Sequence, residues 1–455
     1  MLPIEFEERM RKMLGEEADA FFAGYDREKF TSLRLNPLKT KTEAFMERGA
    51  FSLTPVPWEK NGFYYSGEDT PGKHPYHEAG VYYIQEPSAM APVPFLEVKP
   101  GERVLDLCAA PGGKSTQIAG YLNGEGLLVC NEIHPQRAKI LSENVERLGI
   151  RNAMVTNETP DRLAEVFVHY FDKILVDAPC SGEGMFRKNE DAKEEWSPAN
   201  VQICADRQDE ILDCAARMLK PGGRIVYSTC TFAPAENEGS ISRFLERHND
   251  FAIAAAPMPE GFACGRGDFV ENPAKGIERT MRIWPHLVNG EGHYLAILDS
   301  TAEPVVGEVE CVNGTEKSVA KSVYKDYLTF EKETLKVSFD GIFLLFGDNL
   351  YVAPHGMPAT KGLRVLRPGL HLGTFKKNRF EPSHALALAL TPDEVQNASE
   401  ISLSDGTAAK YISGQTYSHE GKGWHLVCVD GYSLGWGKAA GGIMKNHYPK
   451  GLRKG

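Results

Sequence analysis

Three short stretches hold residues able to do chemistry together: "DLCAAPGGKST" (106–116), "VDAPCSGEGMFRK" (176–188) and "PGGRIVYSTCTFAPAENE" (221–238). The first is nearly a triphosphate-binding loop, which needs Gly, four residues, then Gly-Lys-Ser/Thr. Gly113, Lys114 and Ser115 fit, but Cys108 stands where the first glycine belongs. A triphosphate cradle needs glycine there so that the backbone can wrap the phosphates, and a Cβ disfavours that turn. A nucleoside cofactor without such phosphates fits better. The Gly112-Gly113 pair lets the backbone approach a ligand at a helix start, and Glu132, ending the next strand, is placed to accept hydrogen bonds from ribose hydroxyls. The Gly-x-Gly-x-x-Gly of a nicotinamide dinucleotide site is absent from this loop, so the expected cofactor is S-adenosylmethionine. Asp177, ending "ILVD", could instead imitate the magnesium-binding Asp of a nucleotide hydrolase, which keeps that reading open.

The second and third stretches each end a strand with a thiol, Cys180 and Cys230. Methyl transfer to an amine or hydroxyl needs no thiol, whereas transfer to carbon 5 of a pyrimidine does. A thiolate adds at carbon 6, carbon 5 becomes enamine-like and takes the methyl group, a base removes its proton, and the thiolate leaves. One hard step is thereby split into easier ones, provided the site favours the thiolate. Cys130, Cys204, Cys214, Cys264, Cys311 and Cys428 read instead as small buried hydrophobes. The residues alone do not rank Cys230 over Cys180.

Alternating strands and helices would position these groups. "RVLDLC" (103–108), "GLLVCNE" (126–132), "NAMVTN" (152–157), "FDKILVDAP" (171–179) and "GGRIVYSTC" (222–230) read as strands, with "HYLAIL" (293–298) as a late one. "KSTQIAGYL", "PQRAKILSENVERLG" and "VQICADRQDEILDCAARMLK" read as the helices between them, the second starting on Pro135 and stopping at Gly149. Such alternation predicts an α/β fold with a doubly wound parallel sheet, whose ligands sit at the carboxyl ends of the strands. The glycine-rich loop, Glu132, Asn157, the Asp177–Cys180 turn and Cys230 all fall at that edge.

Length, composition and charge set the frame. A chain of 455 residues implies two to four domains, and 42% hydrophobic with 25% charged residues is ordinary for a globular protein. No apolar run is long enough for a membrane span, and the charged N-terminal stretch is unlike a signal peptide. Nine cysteines without a Cys-x-x-Cys pair point to free thiols in a reducing compartment, with no zinc site. Net charge is −11, yet residues 321–455 hold 17 Lys and Arg against 12 Asp and Glu, an asymmetry that can mark a polyanion-binding module. Beyond a polar stretch at 300–318 the chain turns strand-rich, with a hairpin turn expected at Asp430-Gly431.

The three motifs resemble the Nol–Nop–Sun RNA cytosine-5 methyltransferases, nearest the bacterial RsmF type that modifies small-subunit ribosomal RNA. "SLRLNPLKT" resembles that family's N-terminal segment, and "GLHLGTFKKNRFEPSHALALAL" and "GWGKAAGGIMKNHYPKGLR" its C-terminal region. The resemblance implies a Rossmann-like class I methyltransferase domain at 93–300. It also implies an N-terminal RsmF-type α/β domain at 1–92, a linker at 301–318, an RsmF-type domain at 319–390 and a PUA-like RNA-binding domain at 391–455. It further implies that Cys108, Ala109, Ala110, Pro111, Gly112, Gly113 and Lys114 contact S-adenosylmethionine, that Glu132 holds its ribose, and that Asn157 flanks the adenine. Asp177 would lie between cofactor and base, Cys230 would be the nucleophile, and Cys180 would assist release.

The expected partner is RNA, 16S ribosomal RNA or the small subunit, met by a cytoplasmic monomer. Residues 361–380 hold six basic residues and no acid, with Phe375 and Phe380 interleaved. Lys376, Lys377 and Arg379 are the expected phosphate contacts there, with the two rings available for stacking on bases. Arg187 and Lys188 are expected to meet phosphates beside the target base. A non-catalytic RNA-binding or ribosome-assembly protein is the remaining alternative.

Overall fold

The computed structural model describes residues 2–303, 309–377 and 379–454. Residues 304–308 of the expected linker and Asn378 of the basic stretch lie outside the described residues. The central sheet is built on five parallel strands: β1 (Arg103–Asp106), β2 (Leu127–Asn131), β3 (Ala153–Thr156), β4 (Phe171–Asp177) and β5 (Leu219–Thr229). They lie in the order β3-β2-β1-β4-β5, and β6 (His293–Ser300) runs antiparallel against β5. β2 and β3 are buried along their whole length, which is why they read as unbroken apolar runs rather than alternating ones.

Helices cover both faces. α1 (Gly113–Leu122) and α2 (Pro135–Arg147) close one core over Val104, Leu128, Val155 and Leu175. α3 (Pro160–Val166), α4 (Pro198–Met218) and α5 (Glu238–Arg247) close the other over Leu105, Val129, Ile174 and Tyr227. The doubly wound α/β expectation therefore holds, with the strand order that puts the cofactor edge above β1 and β2. Gly149 follows α2 in the left-handed conformation, φ 70°, and a Cβ there would stand 2.4 Å from the carbonyl of Leu388. It stops the helix and lets the C-terminal half of the chain approach.

That half also completes the central sheet. Val365–Pro368 pairs antiparallel with β3, so the edge of the methyltransferase sheet is closed by a strand from far beyond residue 300. Arg367 points inward there, donating to Ser142 at 3.2 Å and pairing with Glu146. The N-terminal region contributes a separate four-stranded sheet of Leu53–Pro55, Gly62–Tyr65, Ser32–Leu35 and Tyr82–Ile84. The last module is a five-stranded sheet in which Asp430 and Gly431, φ 49° and 80°, turn the hairpin between Gly423–Val429 and Tyr432–Ala440. Both turn residues take the left-handed region, as a type I′ hairpin turn requires.

Candidate active site

The loop after β1 is held from three sides. Ala109 N–H donates to Asn131 O at 2.8 Å, Arg137 of α2 donates to Ala110 O at 2.8 Å, and Asn144 donates to Pro111 O at 2.9 Å. Gly112 caps α1 with φ 111°, and a Cβ on it would press on Leu141 at 3.2 Å. Gly112 is thus favoured by the turn and by close packing, and a Cβ on Gly113 would stand 3.3 Å from the Tyr83 ring. The N-terminal domain supplies a support that motif reading missed. Arg34, 3% exposed, donates to Gly113 O and to Thr116 Oγ1, each at 2.8 Å. No local signal in "SLRLNPLKT" marks an arginine that acts eighty residues away.

Asp177 is the centre of the charge arrangement. Lys114 Nζ stands 2.7 Å from one carboxylate oxygen, Ser228 Oγ donates to the other at 2.8 Å, and His293 Nε2 is 3.6 Å from that same oxygen. Burial works against the Asp177 charge, but Lys114 and His293 outweigh it and hold the carboxyl well below its ordinary range. Burial likewise opposes the Lys114 charge, and Asp177 more than restores it, so its pKa lies above the ordinary value. Asp106 differs: burial, with Asp177 and Glu132 nearby, pushes its carboxyl up to about 7 although Ser115 donates to it at 2.6 Å. Burial also raises the Cys108 thiol, keeping it neutral.

The two expected thiols meet. Cys180 Sγ and Cys230 Sγ are 3.3 Å apart, across the ends of β4 and β5. The contact with Cys230, then burial, raises the Cys180 thiol well above its ordinary pKa. The two sulfurs are close enough to share a proton, and either can be its donor. Of the six cysteines expected to be buried hydrophobes, Cys130, Cys204, Cys214, Cys311 and Cys428 are, while Cys264 is exposed at the end of the short edge strand Phe262–Cys264.

Glu132 follows β2 directly, 4% exposed, one oxygen accepting from His134 N–H at 2.8 Å and the other 3.6 Å from Arg137. A carboxylate offers about four acceptor positions, so further ones stay available. Asn157 follows β3 as expected, but its side-chain amide donates to the carbonyls of Glu132 and Ile133 at 2.7 and 2.8 Å, fixing the chain that carries the acid. Arg187 departs from the expected phosphate role. Its side chain is 6% exposed, donates to Arg27 O at 2.6 Å and lies 3.5 Å from the buried Glu291, because the N-terminal helices pack over this loop. Lys188 stays exposed. Lys376, Lys377 and Arg379 are exposed on the hairpin of Leu370–Lys376 and Arg379–Pro382, with Arg379 paired to Glu381 at 2.8 Å. Phe380 is buried against Tyr327 and Phe330, and Phe375 packs on it, so these rings form core rather than a stacking platform. Among the described residues there is no metal-ligand cluster and no helix long and apolar enough to cross a membrane.

Residues 93–299 match the family model for 16S rRNA methyltransferase RsmB/F. Residues 2–87 match the N-terminal domain of RsmF, 329–390 its first C-terminal domain and 398–454 its PUA domain. Ribosomal RNA small subunit methyltransferase F of Vibrio campbellii is 31% identical over 99% of this chain and 97% of its own length. The chain belongs to the RsmB/F methyltransferase family, in its RsmF branch. The protein of the same description from Shewanella baltica is 32% identical over 96% of this chain and 93% of its own. Among solved structures, a methyltransferase homolog from Pyrococcus horikoshii aligns with a TM-score of 0.58 at 29% identity, over 64% of this chain and 93% of that one. NSun6 from the same organism, solved with SFG, aligns with a TM-score of 0.57 at 22% identity, over 66% and 99%, which supports the Rossmann-like fold.

As an RsmF-type methyltransferase the chain depends on S-adenosylmethionine. The residues fit that cofactor: a buried acid just after β2 with acceptor positions to spare, and the Asp177–Lys114 pair at the inner end of the loop. Family membership sets the nucleotide-hydrolase reading aside.

Proposed function

We propose that the protein methylates carbon 5 of a cytidine in 16S ribosomal RNA, acting as a cytoplasmic monomer through a covalent bond between Cys230 and the base. The observation that carries this reading is the pair of thiols 3.3 Å apart beside Asp177. Cys230 adds to carbon 6, and the electron pair moves toward carbon 5. Bound S-adenosylmethionine supplies the methyl group. Asp177, kept ionised, accepts from the exocyclic amine of the cytosine edge, and Lys114 holds its orientation. In the release step a base takes the carbon-5 proton, the carbon-5–carbon-6 double bond reforms and the Cys230 sulfur departs as its thiolate; Cys180, against that sulfur, assists the departure. The order of roles follows the resemblance of the two motifs, in which the Thr-Cys thiol is the nucleophile and the Pro-Cys thiol assists release. Cys108–Lys114, Glu132 and Asn157 line the cofactor side, with Asn157 acting through the Glu132 backbone.

The test is a denaturing gel after incubation with cofactor and ribosomal RNA. Cys180→Ala can attack and methylate but stalls, leaving a slow, nuclease-sensitive band. Cys230→Ala gives no band, and neither does the double variant, since nothing is trapped without the attack. A band from Cys230→Ala alone would exchange the two roles, and intact methylation with no band from any variant would end the covalent reading.

A further inference from the structure

The two loops that carry the thiols converge on one dipeptide, Glu236-Asn237, in the turn before α5. Both residues are fully buried. Asn237 grips the flanks of Cys230: its Oδ1 accepts from Thr229 Oγ1 at 2.6 Å and its Nδ2 donates to Thr231 O at 2.9 Å. Glu236 grips the flank of Cys180. Its carboxylate accepts from Ser181 N–H at 2.9 Å, from the Ser181 hydroxyl, and from Gln208 Nε2 at 2.9 Å. Gln208, on α4, also donates to Pro179 O at 3.0 Å, on the other side of Cys180. Ser181 and Thr231 hydroxyls then meet at 2.9 Å and join the two loops. Glu236 is itself pinned, since its carbonyl accepts from Tyr227 OH at 2.6 Å.

The donors are all neutral, and burial pushes the Glu236 carboxyl up to about 7. Burying such a group costs stability that an apolar side chain would not. The carboxyl is the one side chain of this size that can accept three converging donors with two oxygens. We infer that Glu236 is a positioning residue that sets the separation of Cys180 and Cys230 by holding Ser181. This inference rests on the two-thiol reading proposed above.

Glu236→Gln keeps the size but turns one acceptor into a donor, so at least one of the three bonds is lost. Turnover should fall by about 10- to 100-fold, the usual cost of a small misplacement at a reacting group. KM for RNA, cofactor affinity and the melting temperature should stay near wild type. The second arm needs neither RNA nor cofactor. Diamide takes a hydrogen from each thiol and leaves a Cys180–Cys230 disulfide, read by mass spectrometry of the joined peptides. That bond should form readily in the wild type, slowly in Glu236→Gln, and at an intermediate rate in Ser181→Ala, which keeps its backbone N–H. Wild-type turnover and disulfide rate in Glu236→Gln would overturn the inference. So would a lowered melting temperature with an unchanged disulfide rate, which means general support of the fold, or no disulfide in the wild type, which means the spacing is not held. If Cys230→Ala still methylates, the two-thiol chemistry falls while the disulfide arm still scores Glu236.

Discussion

At the scale of residues, Asp177 joins chemistry to stability. Its pair with Lys114 lies where Lys114 is 10% and Asp177 30% exposed. Asp177→Asn strands the lysine, at a cost somewhat under the ~3–5 kcal/mol of a fully buried pair, because water reaches the carboxylate. Its depressed pKa gives the sign of the pH dependence. The carboxylate contribution is complete above about pH 4, the ordinary value for the unfolded chain, and is lost as the pH falls through the depressed folded value. The stability gap between wild type and Asp177→Asn, from urea unfolding, should be constant from neutral pH down to about 5 and close at lower pH. A gap that persists at low pH would mean the pair is not its source. Asp177, Cys180 and Cys230 were legible from their types and their places after strands. Arg34, Glu236 and Asn237 were not, because what they do depends on partners brought near only by folding.

At the scale of elements, the parallel strands were legible because burial on both faces makes them continuous apolar runs ending in polar turns. Val365–Pro368 was not legible as part of the same sheet. It sits in a basic stretch, and nothing local tells an edge strand that pairs within its own domain from one that crosses to another. The crossing matters for the site. Arg364 N–H donates to Glu158 at 2.7 Å, and its carbonyl accepts from Asn157 N–H at 2.9 Å. The added strand therefore fixes the turn after β3, and through Asn157 the backbone of Glu132. A chain ending at residue 303 leaves β3 as an open, apolar edge and also bares the N-terminal side of the core shared with the C-terminal module, both of which invite association between molecules. It should elute from size exclusion as aggregate, and its soluble fraction should bind S-adenosylmethionine more weakly than the full chain by calorimetry. A monodisperse truncation with full affinity would mean the strand plays no part in the cofactor side.

At the scale of the whole molecule, the C-terminal module is built into the protein rather than tethered to it. Leu33, Leu35, Phe45, Tyr76 and Tyr82 of the N-terminal domain share one core with Ile401, Tyr411, Val427, Tyr432 and Tyr448. Tyr432 OH donates to Thr40 at 2.9 Å and Tyr448 OH to Glu78 at 3.0 Å. Deleting the module to test RNA binding would strip this core, so charge substitutions on the surface are the cleaner probe. The hairpin tip offers Lys376 and Lys377, exposed and without an acid against them in the described ion pairs, whereas Arg379 is held by Glu381. If the tip meets RNA, each lysine that neutralises a phosphate releases a counterion, worth about 0.7 in the slope of log affinity against log salt on a single strand. Lys376→Ser with Lys377→Ser should make that slope shallower by about 1.4. Arg379→Ser should change it less, because Arg379 is already paired with Glu381 and has no phosphate contact of its own to lose. Cofactor affinity should be untouched in both, since the tip contributes nothing to the loops around Asp177. Filter binding of a ribosomal RNA fragment across a salt series measures the slope. An unaltered slope in the double lysine variant would turn this face away from RNA and leave the +5 charge excess of residues 321–455 to other parts of the C-terminal surface.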